Sequence, residues 1–204
     1  MAACVERYMR KDRHYRVLDF GSRVSRGPKM THRELLGEHD CEITGVDIRA
    51  GRNVDVVMRR PYRIPLGANT ADVAFAGQVF EHVPFPWASM LELARVLKPA
   101  GLLFMTVPSR GHVHSHYDCW RIYPDGLRAL AAFARLDVLE ARADFPPIIG
   151  KKQHDYARID VEDHYWGDSV GVFRKPEGYP AVRIWPVRQV VVAWANRAAA
   201  RPLR

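Results

Sequence analysis

The chain has 204 residues, 48% of them hydrophobic and 26% charged, a balance that suits a globular protein with a sizeable core. No apolar run approaches the roughly 18 residues of a membrane-spanning helix. Met1 to Arg16 lack the apolar centre of a secretory signal, so a cytoplasmic protein is expected. Lysine and arginine number 31 against 23 acidic residues, for a net charge of +8. The basic residues are dispersed, with Arg59-Arg60-Pro61-Tyr62-Arg63 and the stretch 1–16 the densest clusters, and no recognition module accompanies them. That pattern argues against a nucleic-acid partner. Cys4, Cys41 and Cys119 are widely spaced and form neither a disulfide framework nor a zinc pattern.

In chain order, Tyr15–Phe20 reads as a strand ending at the turn residue Gly21, and Pro28–Glu38 as a helix with Pro28 near its start. Strands follow at Cys41–Ile48, Val54–Met58 and Ala71–Gly77. Phe85–Leu97 places Met90, Leu91, Leu93, Ala94 and Leu97 at helical spacing, and Pro99 is expected to end that helix. The continuous apolar run Leu102–Val107 fits a strand covered on both faces. Pro124–Ala134 predicts a helix, Leu136–Arg142 and Ser169–Arg174 predict strands, and Val187–Ala200 predicts a last helix. The stretch 144–167 loses periodicity but is rich in aromatic residues and histidine, as a functional wall or lid would be. Strands alternating with helices indicate an α/β sheet, mainly parallel, in one domain over 1–204.

Three polar signals fall at successive strand ends, where open α/β sheets bind ligands. Asp19-Phe20-Gly21-Ser22 pairs a carboxylate, able to hold an amino group, with a turn that lets backbone approach a ligand. Asp47 stands where a carboxylate accepts both protons of a ribose diol, and Gln78 follows the next strand. Gly21 and Gly27 do not make the Gly-x-Gly-x-x-Gly spacing of a dinucleotide site, and there is no P-loop.

The run Gln78-Val79-Phe80-Glu81-His82-Val83, then Arg95-Val96-Leu97-Lys98-Pro99-Ala100-Gly101 and Val107-Pro108-Ser109, resembles the second half of the cofactor domain of class I S-adenosylmethionine-dependent methyltransferases, the group that carries EHV…RVLKPGG. The resemblance covers about residues 15–133, with a fainter echo in the last two strands. It implies a Rossmann-like α/β fold with a mainly parallel seven-stranded sheet flanked by helices. It also implies S-adenosylmethionine as cofactor, held by Asp19, Gly21, Ser22, Asp47, Ile48 and Gln78. Two departures stand out. The glycine loop keeps only Gly21 of its glycines in register, so Ser22 and Arg23 bring side chains into it. The acidic residue that relatives place after the third strand is replaced by Val57-Met58-Arg59-Arg60.

Groups able to bind or deprotonate an acceptor gather after the fourth and fifth strands: Glu81 and His82, then His112, His114, His116 and Asp118. The stretch 114–121 resembles an H…DYWR segment of methyltransferases from polysaccharide and glycan gene clusters, and His164-Tyr165-Trp166-Gly167-Asp168 resembles their WGD segment. The arrangement also resembles that of actinobacterial sugar O-methyltransferases, including those capping the reducing end of methylmannose polysaccharide. This resemblance implies O-methylation of a saccharide or similar hydroxyl-bearing small molecule, with Glu81, His82, His116 and Asp118 as catalytic residues and a small molecule or oligosaccharide as partner. A divalent cation such as magnesium on Glu81, His116, Asp118 and Asp163 is compatible with this set, and the alternating histidines with a softer metal. Two other readings stay open: an RNA methyltransferase, from the charge, and a non-enzymatic interaction protein, from the incomplete glycine loop and Arg59. A homodimer is also left open.

Overall fold

The computed structural model describes residues 1–24, 30–115, 117–144 and 167–200. The predicted lid at 144–167 and His116 therefore lie almost wholly outside the described residues, as do Pro28 and Gly27. The first element, helix α1 (Ala2–Tyr8), was not anticipated from the sequence; it buries Cys4 and Val5. Strand β1 (Tyr15–Phe20), helix α2 (His32–Leu35), β2 (Cys41–Asp47), β3 (Val56–Val57) and β4 (Ala71–Gly77) follow. A 3-10 turn (Phe80–His82) leads to α3 (Pro86–Val96), β5 (Leu97–Arg110), α4 (Pro124–Phe133), β6 (Asp137–Asp144), β7 (Gly167–Arg174) and α5 (Ala181–Ala199).

The strands form one sheet in the order β3-β2-β1-β4-β5-β7-β6. From β3 to β5 every pair is parallel, as expected, but β7 runs antiparallel to both β5 and β6. The sheet is thus mixed. An antiparallel strand, unlike a parallel one, needs no crossover to return to its neighbour. The strand order turns back between β1 and β4, which opens a crevice at their carboxyl ends.

Alternation along the central strands assigns two cores. Val17, Val73, Phe75 and Phe104 face α1 and α2. Leu18, Ala74, Ala76, Leu103 and Met105 face α3 and α4, joining Met90, Leu91, Leu93, Leu127 and Ala131. Burial on both faces is the reason β4 and β5 read as continuous apolar runs.

Three boundaries depart from the sequence reading. Among the described residues, the helix expected over 28–38 is the single turn His32–Leu35, its start fixed by a reciprocal capping box between Thr31 and Glu34. Helix α3 ends at Val96, within a residue of the expected end, but β5 begins at once at Leu97 rather than at Leu102. Pairing jumps from Ala71↔Leu97 to Val73↔Leu102, so Lys98 to Gly101 bulge out of β5 with Ala100 at φ +62. A proline, having no N–H to give the ladder, is tolerated at such a bulge. Helix α5 begins at Ala181 rather than after Pro186, since the hydrogen bond Pro186 forgoes would go to Val182, which water reaches (88% exposed). Helix α5 docks on α3 through Arg188, whose Nη1 donates to buried Glu92 at 2.6 Å. Among the described residues no helix is long and apolar enough to cross a membrane.

Candidate active site at the carboxyl edge of the sheet

Strand ends β1, β2 and β4 deliver the predicted donor residues to one edge. Gly21 has φ +73, and a Cβ there would lie 2.4 Å from Val79 Cγ2, so the turn requires glycine. Its N–H and that of Ser22 both donate to the Val46 carbonyl, which ties the loop to β2. The Ser22 hydroxyl is buried without a hydrogen-bond partner among the described residues. Asp47 Oδ1 accepts from Arg49 N at 2.9 Å, and its Oδ2 accepts a longer bond from Arg23 N. Ile48 is exposed beside it, and Gln78 is exposed with φ +54, a backbone state that is costly for a non-glycine residue.

Asp19 behaves differently from the simple expectation. It is buried, with Oδ1 2.7 Å from His32 Nδ1 and Oδ2 accepting from Asn53 Nδ2 at 3.1 Å. Asn53 also donates to the Ser22 carbonyl. Asp19 therefore acts first as an anchor for the loop. His32, stacked on Phe75 and next to Gly77, is a residue of this edge that the sequence did not single out. Its only sequence signal is its place in the turn that opens α2. No acidic residue follows β3: Arg59 and Arg60 are exposed, and Asp55, before the strand, is taken by Arg33 and Gly45 N.

The predicted acceptor residues are brought together by zipping the loop after β5 onto the 3-10 turn. The Glu81 carbonyl accepts from Cys119 N at 2.6 Å and Trp120 N at 3.3 Å, and the Trp120 indole donates to the Val83 carbonyl. This juxtaposes Glu81 and His82 with the 114–121 loop. The Glu81 side chain is fully buried, and neither carboxylate oxygen has a hydrogen-bond partner among the described residues. Burial pushes its carboxyl up to about 7, opposed by its own backbone N–H and the Arg121 charge and aided by Asp118 and Asp168. His82 Nδ1 lies 2.5 Å from the Tyr117 carbonyl, and its Nε2 lies 3.5 Å from Glu81 Oε1. His114 meets His82 edge to face, with ring centroids 5.0 Å apart. Burial lowers the His114 imidazole, partly offset by Asp118.

Asp118 does not stand open to an acceptor. Arg121 Nη1 donates to its Oδ1 at 2.5 Å, and His114 Nδ1 lies 2.9 Å from its Oδ2. The Arg121 guanidinium foremost holds the Asp118 carboxyl well below the usual carboxylate range. Asp118 is thus tied to Arg121 and His114 within its own loop. The magnesium set considered from the sequence is not assembled among the described residues: Asp118 is paired inward, and His116 and Asp163 fall outside them. What assembles is Glu81, His82 and His114, with ligand atoms all within 4.8 Å of one another.

This geometry can be set beside known proteins. Residues 18–105 match the profile of a methyltransferase domain family. Among solved structures, the chain is similar to Haemonchus contortus phosphoethanolamine N-methyltransferase 2 in complex with phosphomonomethylethanolamine and S-adenosylhomocysteine. That likeness has a TM-score of 0.60 at 16% identity and covers 85% of this chain and 52% of that one. The fold is that of class I methyltransferases. The same methyltransferase fold aligns with the [4+2]-cyclase SpnF at a TM-score of 0.60 and 18% identity, over 86% of this chain and 79% of that one. In sequence the chain is similar to an uncharacterized methyltransferase of Mycobacterium bovis, 35% identical over 79 residues, a match covering 35% of this chain and 29% of that relative.

Proposed function

We propose that the protein is an S-adenosylmethionine-dependent O-methyltransferase acting on a saccharide or similar hydroxyl-bearing small molecule. One observation carries the reading. The glycine turn at Gly21, Asp47 and Gln78 share an edge of the sheet with a polar cluster, Glu81–His82–His114, held by the next loop. The fold alone does not decide chemistry, as a cyclase on the same scaffold illustrates.

The residues present fit the cofactor in three respects. Gly21 keeps backbone close to the crevice, the buried Ser22 hydroxyl lacks a partner, and Asp47 stands at the β2 end with acceptor capacity beyond its two backbone donors. Gly21, Ser22, Asp47, Ile48 and Gln78 would hold it, with Asp19 positioning the loop through Asn53. When bound, S-adenosylmethionine supplies an electrophilic methyl group on a sulfonium. The chain's own part is to align an acceptor in line with that methyl and to activate its hydroxyl at the Glu81–His82–His114 cluster. Half-exposed Trp120, its ring edge-on to Trp87 and its N–H committed to Val83, offers a flat apolar face for a sugar ring.

Two measurements test this. Calorimetry should show S-adenosylhomocysteine binding to the folded chain, and no binding refutes the reading. Labelled methyl from the donor should appear in members of a mono- and oligosaccharide panel. Transfer to RNA with strong salt dependence, and none to sugars, would replace the saccharide by a nucleic acid.

A further inference from the structure

One group at the acceptor edge is electrostatically incomplete. Glu81 is fully buried, yet neither of its oxygens has a hydrogen-bond partner among the described residues. Folded proteins rarely leave a buried carboxylate so; they pair it, protonate it or give it a cation.

Two imidazoles supply the rest of the surroundings, and the proton on each can be placed. His82 Nδ1 faces the Tyr117 carbonyl at 2.5 Å, and a carbonyl only accepts, so the proton sits on Nδ1. Nε2 is then the lone-pair nitrogen, and it lies 3.5 Å from Glu81 Oε1. Two acceptors at that separation repel unless a proton or a metal cation lies between them. His114 Nδ1 faces Asp118 Oδ2 at 2.9 Å, and that carboxylate is already held by Arg121. The same logic puts the proton of His114 on Nδ1. Histidine metal ligands are commonly oriented this way, with the distal N–H given to a carboxylate or carbonyl.

We propose that Glu81, His82 and His114 bind a divalent transition metal of the zinc class. Two nitrogens and one carboxylate oxygen suit zinc better than magnesium, which prefers oxygen donors and retained water. Donors about 2.0–2.1 Å from a tetrahedral metal stand roughly 3.3 Å apart, close to the Glu81–His82 separation. One nitrogen of each histidine and an oxygen of Glu81 lie within 4.8 Å of one another, so a bound metal draws His114 inward to tetrahedral donor spacing. Three protein ligands leave a fourth position for water or an acceptor hydroxyl, whose proton the metal would make easier to remove. Metal binding itself does not depend on the acceptor proposed above.

The test uses the tag-free full chain, freed of metal by chelator and dialysis, and zinc sulfate alone. Calorimetry should give one equivalent bound with a Kd in the micromolar range or tighter, millimolar magnesium should not compete, and zinc should raise the melting temperature. Glu81→Gln and His114→Ala should each weaken zinc binding by about 100-fold or more and abolish the thermal shift, with unchanged far-ultraviolet circular dichroism. His14→Ala, at an exposed histidine paired with Asp40, should leave both unchanged. Binding weaker than about 100 μM, or equal affinity in wild type and both site variants, overturns the proposal. Because neither donor nor acceptor is present, its failure is distinct from failure to bind S-adenosylhomocysteine.

Discussion

Replacing Asp47 by alanine separates a ligand-binding carboxylate from a turn-stabilising one. In the folded chain Asp47 accepts from Arg49 N at 2.9 Å and Arg23 N at 3.3 Å, both near the surface. Two such bonds, one of them long, are together worth about 1 kcal/mol of stability. For a chain of this size, that lowers the melting temperature by roughly 2–4 °C. If Asp47 also accepts both hydroxyls of a bound ribose, alanine removes two hydrogen bonds to a charged acceptor, at least about 3 kcal/mol, and S-adenosylhomocysteine affinity falls by roughly 100-fold or more. Calorimetry on wild type and Asp47→Ala, paired with thermal melts, reads both quantities. An affinity loss below about tenfold, with a larger drop in melting temperature than expected, would make Asp47 a structural turn residue and refute the reasoning.

Gly21→Ala places a Cβ 2.4 Å from Val79 Cγ2 at φ +73. The strained backbone and the overlap together should cost about 3 kcal/mol, measurable by urea titration. Val79→Ala in the same chain should recover the overlap part only, and full recovery would show that the backbone angle carries no cost. Asp72 is opposed by burial but stabilised by Arg16 N–H, Lys98 and Arg13, so its folded carboxyl titrates below its unfolded value of 3.8. Its contribution is complete above that value and is lost as pH falls through the folded value. Asp72→Asn should therefore be less stable than wild type at pH 7, with the gap narrowing below about pH 4; a gap independent of pH would contradict the assignment.

Which parts of the site were legible in the sequence follows from how local each signal is. Gly21, Asp47 and Gln78 announce themselves because a turn after an apolar strand leaves its mark within a few residues. The inward engagement of Asp19 was hidden, because His32 and Asn53 reach it from two other segments. The sequence grouped Glu81 with His82, and it made the 114–121 loop a neighbour. It could not show that Asp118 turns toward Arg121, since that pairing depends on where the loop is pinned by the Glu81 carbonyl.

The sequence by itself determined the alternation of strands and helices and the doubly buried β4 and β5, because periodicity and burial are written in consecutive side chains. Only the tertiary structure decided the reversal of β7, the bulge of Lys98 to Gly101 inside β5, and the burial of Glu81 against two histidines. Strand direction, register and the desolvation of a single carboxylate are set by which distant segments meet, and no local pattern encodes that meeting.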